Sequence, residues 1–172
     1  DARPDGVSDR ALERGRDQCG TLGSGNHFME VQVVEKVDDA VCARAMGLEE
    51  GAVTVMIHSG SRGLGYQVCE DALRELQGVP QKYGIDLPDK QLVCAPVESK
   101  EGASYLGTMR AAANFAWCNR QIMTHLARQA FAEVFEQPAE RLGMHLVYDV
   151  AHNIAKMETY EVKGKPVELC VH

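Results

Sequence analysis

No run in this sequence comes near the roughly 20 consecutive apolar residues that span a bilayer. Its first residues, Asp1-Ala2-Arg3-Pro4, carry no basic-then-apolar leader. A membrane partner is therefore not expected, and a cytoplasmic location is. The six cysteines (Cys19, Cys42, Cys69, Cys94, Cys118, Cys170) stand singly, with no CxxC pair and no framework spacing. That dispersal fits reduced thiols, most of them small core residues, rather than a disulfide scaffold. Repeats and low-complexity tracts are absent. So is an excess of positive charge: the formal net charge of -7 gives no global attraction to nucleic acid. Contact with a polyanion would have to be local or assisted by metal ions.

What is present suits a folded domain. The chain has 172 residues, 45% hydrophobic and 25% charged, enough for one compact domain that buries about 70% of its unfolded surface. "SDRALERGRD" reads as a short helix with Ser8 as N-cap. "HFMEVQVVEKV" alternates as a strand does, and "DDAVCARAMGL" reads as a helix capped by Asp38 or Asp39 and closed by Gly47. "AVTVMIH" and "MHLVYDV" have the β-branched apolar character of buried strands. "GLGYQVCEDALRELQGV" reads as a helix after a glycine loop. A long helical region runs from about Lys100 to Glu136, bent or broken near Asn119, with Met123, Leu126, Ala130, Phe131 and Val134 as a core stripe. "TYEVKGKPVELCVH" reads as a hairpin turning at Lys163-Gly164. The expected class is α+β, a layered β-sheet core with flanking helices.

Three segments carry a histidine where a strand meets a loop: His27 in "GSGNHFMEV", His58 in "VTVMIHSGSRGLG" and His152 in "HLVYDVAHNIAK". Strand ends are where distant parts of a chain assemble sites, and neutral imidazole is a common ligand for divalent transition metals. Each histidine alone also fits a hydrogen-bonded structural role, and the spacing is not a local signature such as HExxH. His125, His145 and His172 read as structural or surface residues.

Gly20 to Gly25 and Gly60 to Gly65 both read GxxGxG, the reverse of the dinucleotide-binding order. Asn26-His27 and Tyr66-Gln67 stand where a Walker loop needs Lys-Ser/Thr. Backbone N–H groups in such turns still bind anions, most readily where a helix begins. Arg62 is either a solvated loop residue or a planar cationic fork for phosphate oxygens. A metal ion on the histidines would supply the charge that the missing lysine does not. Asn26 offers an amide to a phosphate or base, and Glu30 a carboxylate to a donor such as a purine amine. Asp149 reads equally as a helix N-cap ahead of "AHNIAK" or as an acceptor supporting His152 or a neighbouring polar group.

Four blocks, "GTLGSGNHFMEVQ", "MIHSGSRGLGYQV", "AAANFAWCNRQ" and "VYDVAHNIAK", together resemble the RtcB family of RNA-splicing ligases in content and order. The resemblance spans nearly the whole chain. It implies a GTP- and Mn2+-dependent ligase that joins 2′,3′-cyclic phosphate or 3′-phosphate RNA ends to 5′-hydroxyl ends, such as tRNA halves, through a histidine–GMP intermediate. By position, His27, His58 and His152 match ligands of Mn2+, two ions being expected. Asn26, His27, Phe28, Met29, Glu30, His152 and Asn153 match the surroundings of GTP or GMP, and Arg62 the RNA phosphate path. An Asp and a Cys ligand belong to a segment upstream of the first block, and the guanylylated histidine to a stretch beyond His172.

The resemblance thus makes residues 1–172 the central part of one catalytic domain, truncated at both ends and inactive alone. Archease is the candidate activating partner. The alternative is a metal-dependent hydrolase, or a nucleotide-binding domain, using the same three histidines.

Overall fold

The computed structural model describes residues 1–89 and 91–171. His172, expected to be structural or superficial, lies outside them. The architecture is α+β: helices and two separate two-stranded antiparallel sheets among the described residues. No helix among the described residues is long and apolar enough to cross a membrane. The chain divides into two compact units.

The first unit comprises Asp1–Asp17, Ser61–Phe115 and Ala151–His172. Helix α1 (Asp9–Arg16) starts where expected, with Ser8 Oγ accepting from Ala11 N at 3.2 Å. The same hydroxyl donates to Asp71 Oδ2 at 2.6 Å on helix α3 (Arg62–Glu75), and this bond holds the Asp71 carboxyl below its ordinary pKa. The two helices close over Ala11, Leu64, Val68 and Ala112. Gly15 permits that approach, because a Cβ there would lie 2.8 Å from Leu64 Cβ. Gly65 has a similar cause: Ser61 Oγ folds back to 1.9 Å from where its Cβ would be. Gly15 thus serves the packing of α1 on α3, and Gly65 leaves room for the Ser61 side chain at the start of α3. A short helix α4 (Val79–Lys82) and the first half of α5 (Lys100–Phe135) follow. Strands β3 (Lys156–Val162) and β4 (Lys165–Val171) form the expected hairpin. Its turn residues, Lys163 (φ 51°) and Gly164 (φ 75°), are both left-handed, as a type I′ turn requires.

The second unit comprises Gln18–Gly60 and Ala116–Val150. Strands β1 (Phe28–Val33) and β2 (Val53–His58) pair antiparallel, Phe28 opposite His58 and Val33 opposite Val53. Helix α2 (Ala40–Ala45) is capped by Asp39, whose Oδ1 accepts from Val41 N at 2.8 Å and Cys42 N at 3.0 Å. Gly47 closes it in the left-handed region (φ 70°).

Five expectations need correction. Helix α5 is one continuous element through Asn119, neither broken nor interrupted there. Its buried residues other than glycine are Ala112, Ala116, Asn119 and Met123, whereas Leu126 is 49% and Val134 75% exposed. The buried stripe thus lies further towards the N-terminus than the apolar spacing indicated. The segment "MHLVYDV" is not a strand, and "AVTVMIH" is a strand without deep burial, Val53 being 60% exposed. β-Propensity becomes a strand only where a partner supplies ladder hydrogen bonds, and β2 has one partner, β1, among the described residues. Nor do most cysteines lie in a core: Cys42, Cys69, Cys118 and Cys170 are exposed, and none of the six is in a disulfide.

Candidate metal and nucleotide site

The β1–β2 register sets the site. His58 ends β2 directly opposite Phe28, so both side chains project from the same face. Their rings meet edge-on with centroids 5.2 Å apart. His27 immediately precedes β1, and its ring lies 5.8 Å from that of His58 at 68°. Both imidazoles are half-buried. His27 Nε2 faces Gly60, 4.0 Å from where a Cβ would stand.

Metal–imidazole bonds of about 2.0–2.2 Å put the centroids of two rings sharing an ion about 5–6 Å apart. The His27–His58 centroid separation of 5.8 Å falls within that range. Among the described residues no group of three or more His, Cys, Asp or Glu side chains is arranged to hold a metal ion. His152 belongs to the first unit, as do Asn153 and Arg62.

Alternation along β1 puts Glu30 on the His58 face and Met29 on the other. Glu30 is exposed and accepts from Gln32 Nε2 at 2.8 Å. Asn26 is exposed at the end of the glycine turn, and Met29 is 40% exposed. The strip from Asn26 to Glu30 therefore offers an amide, an imidazole, an aromatic ring and a carboxylate to an incoming molecule.

Arg62 opens α3 with φ 54°, a left-handed conformation uncommon outside glycine. Strain of that kind persists only where the surroundings impose it, and it concentrates at functional positions.

Beneath the paired histidines lie two residues to which the sequence assigned no role. Asn119 is fully buried on α5. Its Oδ1 accepts from Gly20 N (2.6 Å) and Thr21 N (3.0 Å), and its Nδ2 donates to Thr21 O (3.2 Å), Ser59 Oγ (3.1 Å) and Gly60 O (3.1 Å). Gly20 meets two demands at once: φ is 80°, and a Cβ would strike Ile122 Cγ2 at 2.6 Å. Arg120 Nη1 donates to Ser59 O at 3.3 Å, and its Nε to Asp149 Oδ1 at 2.7 Å.

Asp149 thus supports a neighbouring polar group, the Arg120 guanidinium. The Arg120 side chain is 11% exposed, and among the described residues its buried Nη2 has no hydrogen-bond partner. Asp149→Asn would leave the cation without its counter-charge, so unfolding stability should fall by about 1–3 kcal/mol. Urea denaturation of the full-length variant measures this; an unchanged midpoint and slope would mean the pair contributes nothing.

The chain matches the family model described as "tRNA-splicing ligase RtcB" over residues 1–172. The chain belongs to the RtcB family. Three archaeal proteins named tRNA-splicing ligase RtcB illustrate the similarity. That of Archaeoglobus fulgidus is 60% identical over 171 residues, covering 99% of this chain and 36% of the relative. That of Pyrococcus furiosus is 58% identical over 172 residues, covering 99% and 18%, and that of Thermococcus kodakarensis 56% over 171 residues, covering 99% and 36%. The chain spans about a third or less of the length of these RtcB relatives. All four motif blocks, including the "CNRQ" stretch with Asn119 and Arg120, fall within the matched range.

Proposed function

We propose that this chain is the central part of the catalytic domain of a GTP- and Mn2+-dependent RNA ligase. The ligase would join RNA ends bearing a 2′,3′-cyclic phosphate or 3′-phosphate to 5′-hydroxyl ends, tRNA halves among them, through a histidine–GMP intermediate. Its place of action would be the cytoplasm, with archease as an activating partner. The observation that carries the reading is the His27–His58 pair, 5.8 Å between ring centroids, within a chain matched end to end by the RtcB model.

Bound Mn2+, two ions in this reading, would supply Lewis-acid charge to phosphate oxygens where a Walker loop would use a lysine. His27, His58 and His152 would hold the metal through neutral imidazoles. Asn26 and Glu30 would take the polar edges of the guanylate, with Phe28, Met29 and Asn153 completing its surroundings. Arg62, four residues after His58, would contact the RNA phosphate. Asp149 would act one step removed, holding Arg120 against the Ser59 carbonyl. The guanylylated histidine and the Asp and Cys ligands would come from parts of the full-length protein outside these residues. The 172 residues alone are therefore expected not to join RNA.

The test is a pair of RNAs, one with a 2′,3′-cyclic phosphate end and one with a 5′-hydroxyl end, incubated with the full-length protein. Joined product that requires both GTP and Mn2+ is expected. Opening of the cyclic phosphate without joining would instead favour the metal-dependent hydrolase.

A further inference from the structure

We infer that Asn119 is a positioning residue for the paired histidines, setting their separation through the two backbone segments that carry them. The inference rests on the metal-site reading above. One buried amide touches both loops. On one side it engages Gly20 N–H, Thr21 N–H and Thr21 C=O, at the start of the glycine turn leading to His27. On the other it reaches Ser59 Oγ and Gly60 C=O, the two residues after His58. Ser59 Oγ links the loops a second time by donating to Leu22 O at 2.7 Å. An amide has two N–H donors and two acceptor lone pairs, so these contacts saturate it.

The β1–β2 ladder ends at the Phe28–His58 pair. Beyond that point strand pairing no longer fixes the spacing of His27 from His58, and the Asn119 amide, together with the Ser59 hydroxyl, ties the two backbones. Its carrier is a 36-residue helix, a rigid mount for a loop clamp. Asn119 is fully enclosed and so cannot itself meet metal, nucleotide or RNA; its effect passes through His27 and His58. Outer groups that orient metal ligands typically govern ten- to hundredfold in affinity. Asn119→Ala should weaken Mn2+ binding by about that factor.

The experiment uses full-length protein, wild type and Asn119→Ala, with Mn2+ titrated and free ion read directly by electron paramagnetic resonance at a temperature well below both melting points. Protein–GMP adduct formation is followed against Mn2+ concentration in parallel. The expected result is a ten- to hundredfold higher Mn2+ dissociation constant, with adduct formation recovering as Mn2+ is raised. A purely structural role would lower the melting temperature and leave the Mn2+ dissociation constant unchanged, which overturns the inference. If Asn119→Ala does not fold, Ser59→Ala decides. It removes only the hydroxyl between Asn119 and Leu22 and should shift Mn2+ binding in the same direction by a smaller factor; no shift there overturns the inference. Wild-type protein that binds no Mn2+ would instead defeat the metal-site reading itself.

Discussion

His58→Ala in the full-length protein should bring RNA joining below detection while leaving the fold nearly as stable as before. The imidazole is half-buried at the end of β2, edge-on to Phe28 and, across 5.8 Å, beside the ring of His27. Its removal opens no deep cavity, so the cost in stability should stay within about 1 kcal/mol. Its loss as a metal donor is another matter. Removing a group that merely orients a ligand costs ten- to hundredfold in metal affinity, and removing the ligand itself should cost more. His27→Ala should behave alike. His145→Ala is the control, an exposed histidine of the same unit, and should join RNA at the wild-type rate. Wild-type joining and Mn2+ affinity in His58→Ala would return the histidine to a structural role.

Arg62 separates chemistry from backbone strain. At φ 54°, a left-handed L-residue carries about 1–2 kcal/mol of steric cost that glycine escapes. Arg62→Gly should therefore unfold with about 1 kcal/mol more stability than Arg62→Ala, since only the alanine variant keeps the strained conformation. In RNA joining the two variants should be equally impaired. Loss of a charge-assisted hydrogen bond to phosphate costs about 1.5–3 kcal/mol, or roughly ten- to hundredfold. Because the chain carries a net charge of -7, such local cations would supply most of the phosphate contact, and their contribution should fade as salt rises. The protein–GMP adduct should still form in both variants. Equal loss of adduct and joining would move Arg62 from the RNA to the nucleotide step or the fold, and wild-type joining would make it a solvated loop residue.

Local features were legible in the sequence because their causes are local. Ser8 caps α1 through a bond three residues along, Asp39 caps α2 within the next turn, and Lys163-Gly164 turns a hairpin by its own backbone. Burial was less legible. The apolar spacing of Leu126 and Val134 marks a helix, but whether that face is covered depends on what packs there, and both are exposed. "MHLVYDV" has strand composition, yet a strand forms only against a partner.

Of the site, the strand-end histidines could be read as a set, and β1–β2 pairing brings His27 beside His58. Asn119 was visible only as part of a family block and as a suspected helix break. Its bonds reach residues 59 to 99 positions away, and sequence periodicity does not report such partners. One signal was available. Ala112, Ala116, Asn119 and Met123 follow helical spacing of four, three and four. A lone amide on an otherwise apolar stripe is a buried polar group that needs partners.

The most direct measurement incubates full-length protein with Mn2+ and GTP radiolabelled at the α-phosphate, then follows label on the denatured protein. Stable label on wild-type protein that needs Mn2+, disappears in His58→Ala and transfers off when 3′-phosphate RNA is added is the expected result. Absence of any protein-bound label, under conditions where the same sample joins RNA, would contradict the histidine–GMP ligase.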